Sequence, residues 1–324
     1  MYEEYYGLAG KPFQLNPDPS FYFGSRGHQR AMAYLEYGLH QSEGFIVITG
    51  DVGAGKTTLA RSLLQKLDSE KIVAGQLVST QLEAEDILRL VAAAFGLPNQ
   101  AQDKADLLLT LETFLVSVAA KGKRVLLVVD EAQNLAPRAL EELRMLSNFQ
   151  IGEHSLLQSF LVGQPEFRET MRSPEMLQLR QRVLASYHLG PLDADETRAY
   201  IEHRLKHVGW KGNPAFQPDA FQAIYDFSGG MPRRINTLCD RLMLSGFLAG
   251  KAGFARADVE EVTKELTEET GVVAAVSANP EQGTSGVLNG ALAAGNGFAA
   301  QAALLEARLA RLEREVAQLK AGWA

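Results

Sequence analysis

The stretch Phe45-Ile-Val-Ile-Thr49-Gly50-Asp51-Val52-Gly53-Ala54-Gly55-Lys56-Thr57-Thr58 decides how the chain is read. Its first five residues form an apolar run bounded by glycine, which reads as a buried parallel strand. Gly50–Thr57 then fit G-x-x-x-x-G-K-[ST], and a helix is expected from about Lys56 to Leu67. Strand, glycine-rich turn and helix, in that order, are what a phosphate cradle needs. Glycines let the backbone curl around phosphates with its N–H groups inward. The first helical turn adds positive potential. Lys56 is placed to reach β- and γ-phosphates, and the Thr57 hydroxyl to ligate Mg²⁺. Nucleotide contacts are therefore expected from Gly50, Asp51, Val52, Gly53, Ala54, Gly55, Lys56, Thr57 and Thr58.

Outward from this loop, Val125–Val129 is a second apolar run, and it ends in Asp130-Glu131. An acid at the end of a strand in such a fold lies beside the phosphate loop. Asp130 is expected to hold Mg²⁺ through water. Glu131 is expected to orient and deprotonate an attacking water, although an acid here also suits a helix cap. Ala132-Gln133-Asn134 extends the polar rim and says less. Further strands are expected at 72–78, 156–162 and 185–189, with helices over 83–95, 106–120 and 137–149. That alternation predicts an α/β fold: a five-stranded parallel sheet sandwiched between helical layers.

The pattern changes after Pro191. Helices over 193–208, 218–227, 232–248 and 256–266 make a small helical lid. Residues 269–298, rich in Gly, Ala, Ser and Asn, read as a flexible linker. Leu305, Leu309, Leu312, Val316 and Leu319 then recur at spacings of four and three, the mark of a short coiled-coil helix within 299–324. At the other end, residues 1–44 are an aromatic, proline-broken segment followed by a helix. Ser25 is its expected N-cap, with Met32, Leu35 and Leu39 on one face. The nucleotide-binding domain is thus 45–190 and the lid 191–268. The N-terminal aromatics read as core, or as a wall for adenine. His28 reads as a capping or surface residue, or one close to the base.

A net charge of −7 and the lack of a Lys/Arg-rich arm weigh against nucleic acid as the partner. The one cysteine, Cys239, admits no internal disulfide and reads as a small buried apolar residue, which fits a reducing cytoplasm. The N-terminus lacks the apolar core of a signal peptide, and no run approaches the ~20 apolar residues that cross a bilayer. A cytoplasmic protein is expected, peripheral at an inner membrane only through partners.

The order of motifs also carries a resemblance. The phosphate loop, Asp130-Glu131, Gly163-Gln164-Pro165-Glu166, Leu179-Arg180-Gln181-Arg182 and Gly229-Gly230-Met231-Pro232-Arg233-Arg234-Ile235-Asn236 follow one another as in AAA+ ATPases. Met1-Tyr-Glu-Glu-Tyr-Tyr-Gly7, Lys11-Pro-Phe13, Pro17-Asp-Pro19 and Ala33-Tyr-Leu-Glu-Tyr-Gly38 narrow this further. Over about residues 1–268 the chain resembles the general secretion pathway protein A-like (ExeA) family, and within it the secretion ATPases associated with XrtA/PEP-CTERM exosortase loci of exopolysaccharide-producing bacteria.

The resemblance implies roles that spacing does not give. Gln164 falls at the sensor-1 position beside the hydrolytic water. Arg182, with Arg180 as the alternative, falls at the arginine finger given to a neighbouring subunit. Arg233, with Arg234 as the alternative, falls at the lid's sensor 2. It implies an ATPase using ATP and Mg²⁺, a homo-oligomer, and protein partners in an inner-membrane export or polysaccharide system. Where the family's larger prototype continues into a transmembrane segment and a peptidoglycan-binding domain, this sequence has the linker and heptads, so direct cell-wall binding is not expected. Two other functions share these motifs: a nucleic-acid-associated regulator similar to transposon target-selection ATPases, and a nucleotide-gated scaffold that hydrolyses little.

Overall fold

The computed structural model describes residues 1–41, 44–78, 84–98, 103–152 and 154–270. The chain opens with a short helix α1 (Tyr2–Tyr6), then α2 (Arg26–Gln41), β1 (Phe45–Gly50), α3 (Lys56–Lys66), β2 (Ile72–Val78), α4 (Ala84–Ala94), α5 (Lys104–Ala120), β3 (Arg124–Asp130) and α6 (Pro137–Leu146). A two-residue hairpin, β4 (Gln150–Ile151) and β5 (His154–Ser155), leads into β6 (Leu157–Gly163), α7 (Glu166–Arg172), α8 (Leu177–Arg180) and β7 (Val183–Leu189). The lid follows as α9 (Ala194–His207), β8 (Ala215–Phe216), α10 (Pro218–Ser228), α11 (Pro232–Leu248), β9 (Gly253–Phe254) and α12 (Arg256–Thr270).

Five strands form one parallel sheet in the order β2-β3-β6-β1-β7. Successive strand residues face opposite ways. Phe45 and Val47 of β1, with Leu127 and Val129 of β3, point into a core closed by α4, α5 and α6. Ile46, Ile48, Leu126 and Val128 point into a second core closed by α2 and α3. Burial on both faces is why these strands read as continuous apolar runs. Gly38 lets α2 lie directly on the sheet. A Cβ there would stand 2.5 Å from Cγ1 of Ile46, a residue with no exposed surface.

The lid has its own core, and the N-terminal segment belongs to it. Tyr2, Tyr6, Leu8, Phe13 and Phe21 are buried with Ile201, Leu205, Leu238 and Leu242. The Tyr2 hydroxyl also donates to Asp240 at 2.6 Å. Helix α9 starts on a full capping box, in which Asp193 accepts from the Glu196 N–H and the Glu196 carboxylate accepts from the Asp193 N–H. Helices α10 and α11 each carry proline in the first turn, where no N–H is missed.

Several bounds differ from the sequence reading. Residues 2–6, expected as irregular, form α1. Helix α6 stops at Leu146 rather than at 149, because the chain turns there into the β4–β5 hairpin. Strand β7 begins two residues early, and α12 runs to Thr270, into the stretch read as linker. The rest of that linker and the expected coiled coil at 299–324 lie outside the described residues. Among the described residues no helix is long and apolar enough to cross a membrane.

Gly38→Ala tests the seating of α2. Overpacking against Ile46 is expected to cost about 1–3 kcal/mol, read as a lowered denaturant midpoint at unchanged slope. An unchanged midpoint would mean that α2 lifts freely from the sheet.

Candidate nucleotide site

Strands β1, β3 and β6 release their chemistry at one edge of the sheet, the carboxyl ends, where open α/β sheets bind ligands. β1 runs into the phosphate loop, whose Gly53 and Gly55 take φ values of 85° and 98°. Those backbone shapes suit glycine alone. Lys56 is buried and donates to the carbonyls of Gly50 (2.6 Å) and Asp51 (2.9 Å). Burial holds its ammonium below the usual lysine range, opposed by the charges of Glu131 and Asp130.

β3 delivers the acids. Thr57 Oγ1 donates to Asp130 Oδ2 at 2.7 Å, and the Glu131 N–H donates to the other oxygen at 3.0 Å. Burial pushes the Asp130 carboxyl above its usual range despite those donors. Such a buried carboxylate, beside a hydroxyl and with no salt bridge among the described residues, is a fitting place for a cation. The donors suit Mg²⁺, which takes one or two protein oxygens and fills its sphere with phosphate and water. Among the described residues no group of three His, Cys, Asp or Glu offers a closed cage instead.

Glu131 is the one non-glycine residue at positive φ, 55°, among the described residues. Strain of this kind persists only where neighbours enforce it. Here they do. Gln133 Nε2 donates to Glu131 Oε2 at 2.6 Å and Gln164 Nε2 to the same oxygen at 3.1 Å. Gln133 Oε1 in turn accepts the Gln164 N–H at 2.9 Å. Burial raises the Glu131 carboxyl, but the two amide donors and the Lys56 charge outweigh it, and the group lies below the ordinary range, ionised. The sequence reading placed Gln164 here and passed over Gln133, which has no distinctive motif.

The lid closes the cavity from above. The Arg233 N–H donates to the Gly53 carbonyl at 3.1 Å, so α11 begins on the phosphate loop itself. Arg233 lines the cavity with Lys56, Thr57, Glu131 and Gln164. Arg234 turns away and stacks over the Phe227 ring at 5.2 Å. The cavity's remaining wall is the N-terminal segment around Gln14–Phe23, with Tyr200, Arg204 and Asn236 of the lid. Arg204 is buried and donates to the carbonyls of Pro12 and Gln14 and to the Tyr200 hydroxyl, its guanidinium stacked on Phe21. The sequence reading passed over Arg204, although Thr197, Tyr200, Ile201 and Arg204 recur on one face of α9. His28, read as a capping or surface residue or as one close to the base, is buried against Gly55 and lines the cavity.

Arg182 and Arg180 are not part of this cavity. The Arg182 carbonyl accepts the Phe45 N–H, which puts it at the amino end of β1, opposite the phosphate loop. Its Nη1 donates to Ser147 O and Oγ at 3.1 and 3.0 Å, and Arg180 donates to the carbonyls of Met171 and Ser173.

Residues 39–171 match the sequence profile of an AAA domain. Over 268 residues the chain is 39% identical to a general secretion pathway protein A of Aeromonas hydrophila, a match covering 82% of this chain and 49% of that one. The chain therefore spans about half the length of this curated relative. Among solved structures, the Aeropyrum pernix ORC1 protein in complex with DNA superposes with a TM-score of 0.59 at 16% identity, covering 80% of this chain and 70% of the other. The Thermotoga maritima RuvB Holliday junction branch migration motor gives 0.51 at 18% identity, covering 78% and 74%. At such identities the likeness shows the shared P-loop fold.

The geometry separates the two lid arginines. Arg233→Ala is expected to weaken ATP binding or slow turnover by about tenfold, the scale of one charged hydrogen bond, and Arg234→Ala by less than about twofold. Calorimetric titration and steady-state rates check this, and equal losses would mean that the pair shares one task.

Proposed function

From the premise that the chain is an AAA ATPase, similar over most of its length to a general secretion pathway protein A, we propose that it hydrolyses ATP to ADP and phosphate to drive or regulate assembly of an export machine. The observation that carries the hydrolytic half is Glu131, ionised and pinned by two glutamines beside the phosphate loop. A protein that only holds nucleotide has no use for a second carboxylate so constrained.

In this reading the N–H groups of Gly53, Gly55, Lys56 and Thr57 cradle the phosphates, the Ala54 N–H being taken by the Asp51 carbonyl. Lys56 exchanges its two carbonyls for β- and γ-phosphate oxygens. Thr57 and Asp130 would hold Mg²⁺, which would supply positive charge to the phosphates. Glu131 accepts a proton from water as the water oxygen bonds to the γ-phosphorus. The bond to the bridging oxygen breaks, and ADP carries away that electron pair. Gln164 and Gln133 fix the base, and Arg233 meets the γ-phosphate from the lid. Glu131→Gln is expected to bind ATP and turn it over roughly 10²-fold more slowly, on the scale of acid–base catalysis. Near-normal turnover would move the base elsewhere.

The export half rests on the similarity to the secretion protein and on the N-terminal motifs, which point to an exopolysaccharide, exosortase-associated system. A membrane pull-down with the Glu131→Gln protein held on ATP tests it, and recovery of no export component would sink it. The nucleic-acid reading is checked by DNA binding against salt. The net charge of −7 predicts no steep dependence.

Arg182, at the wrong end of β1 for its own nucleotide, is proposed as the finger for a neighbouring subunit. A trans arginine is worth roughly 10³–10⁵ in rate where best studied. Specific activity should then rise with protein concentration. Mixing Arg182→Ala with Lys56→Ala protein should restore some activity at mixed interfaces. A concentration-independent rate with no rescue would show that the finger acts in cis or is absent.

A further inference from the structure

Arg204 of α9 is buried in the wall of the nucleotide cavity, and among the described residues its hydrogen bonds all go to neutral oxygens. A buried cation is costly to keep unless its donors are used. We infer that Arg204 is a positioning residue for the nucleoside half of the nucleotide: by drawing the Pro12 and Gln14 carbonyls onto the lid, it shapes the wall against which base and ribose seat. This rests on the nucleotide-site reading and adds a residue to it.

The guanidinium uses each of its three nitrogens on a different acceptor. Nε donates to the Pro12 carbonyl at 2.5 Å, Nη1 to the Tyr200 hydroxyl at 3.0 Å and Nη2 to the Gln14 carbonyl at 3.3 Å. Two of these acceptors belong to the N-terminal wall segment and one to the lid. The Tyr200 hydroxyl donates in turn to Asn236 Oδ1 at 2.9 Å, and Asn236 Nδ2 donates to the Gln14 carbonyl at 3.3 Å. Arg204, Tyr200, Asn236 and Gln14 thus close a ring of bonds between lid and wall. Arg204, Tyr200 and Asn236 are 6%, 6% and 7% exposed, so water is a poor substitute for any of them. The other end of the segment is tied to the sheet side. Arg61 Nη1 of α3 donates to the Pro17 carbonyl at 2.8 Å, and Asp18 turns the chain by accepting the Ser20 N–H.

The wall segment needs such ties. Between Tyr6 and Pro19 the chain forms no regular element, so its carbonyls have no ladder and its course is set by the donors that reach them. One cavity is lined both by the phosphate loop with Glu131, Gln164 and Arg233 and by Gln14, Tyr200, Arg204 and Asn236. A nucleotide with its phosphates on the loop therefore carries its base and ribose toward the wall. The task suits arginine and not lysine. A planar fork meets three fixed acceptors at once, whereas a single ammonium on a flexible stem does not. The ring faces of Phe21 and Tyr200, 4.5 and 5.6 Å from the guanidinium carbon, offset part of the cost of the buried charge. The role lies in the fork, then, and the charge is its cost.

Calorimetric titration with Mg-ADP and with magnesium tripolyphosphate tests this, because tripolyphosphate carries the phosphate chain without base or ribose. The melting temperature of each nucleotide-free protein is taken alongside. Lys56→Ala should lose both ligands, and unless it does, the site reading itself fails, separately from the role of Arg204. Arg204→Lys, which keeps the charge and loses the fork, should bind Mg-ADP about five- to tenfold more weakly and tripolyphosphate as the wild type does. Arg204→Met, which loses both, should match it. Wild-type Mg-ADP affinity in either variant, or a clear recovery in Arg204→Lys over Arg204→Met, overturns the inference. Equal weakening for the two ligands overturns it too, since the cation would then act on the phosphates. A merely structural role would lower the melting temperature and move the two affinities together. If neither variant folds, hydrogen exchange in the wild-type protein decides. Mg-ADP should slow exchange at the backbone N–H groups of residues 13–16, and tripolyphosphate should not. Equal protection by both, or none by Mg-ADP, overturns it equally.

Discussion

A loop that offers its N–H groups to a phosphate must turn its carbonyls away, and buried carbonyls need donors. Here the donors come from every direction. Lys56 serves Gly50 and Asp51, the Ala54 N–H also serves Asp51, Arg233 of the lid serves Gly53, and the Leu59 N–H serves Gly55. His28 packs against Gly55. The phosphate loop is therefore the joint at which α2, α3 and the lid meet. Its shape is paid for by hydrogen bonds from elements far apart in sequence.

That joint explains why the N-terminal segment is built as it is. Its first half is packed into the lid core through Tyr2, Tyr6, Phe13 and Phe21, while α2, directly after it, lies on the sheet. The chain between is a strap from lid to sheet along one wall of the cavity. Arg204 ties the strap down from the lid side through the carbonyls of Pro12 and Gln14. On the outer side Arg26 pairs with Asp193 and Glu196, exposed charges that contribute little beside the buried contacts. Where the chain enters the lid, Gly230 lets the backbone pass so close that a Cβ would collide with the Leu192 carbonyl oxygen. Movement of the lid must accordingly disturb both the Arg233–Gly53 contact and the wall of the cavity.

The parts legible in the sequence are those with a strong local signature. β1 and β3 are apolar on both faces, and their terminal polar residues announce the site. The lid helices α10 and α11 announce themselves through Pro218 and Pro232, and α9 through Asp193 and Glu196. What was not legible depends on contacts across the chain. Gln133 looks like any polar rim residue until its amide is seen between Glu131 and Gln164. His28 looks like a first-turn residue until the loop is folded against it. The aromatics of 1–24 are broken by prolines into pieces too short for a period. The paired strands β4–β5 and β8–β9 have two residues each, too few for alternation to show.

The distribution of positive charge is the last constraint. Lys56 and Arg233 reach the cavity from below and above, and both are placed by backbone contacts with the same loop. Arg182 lies at the far end of β1, six residues at about 3.3 Å each from the loop. It is partly buried, with both of its bonds from Nη1 fixed on Ser147 at the end of α6. A side chain so anchored does not swing the length of a strand. The proposal that follows is a nucleotide finished by a second subunit: the monomer supplies cradle, base and lid, and the remaining cation has to come from a neighbour whose own sheet presents its opposite end. Assembly and hydrolysis are then one equilibrium, because the ligand that completes the site also joins the two chains.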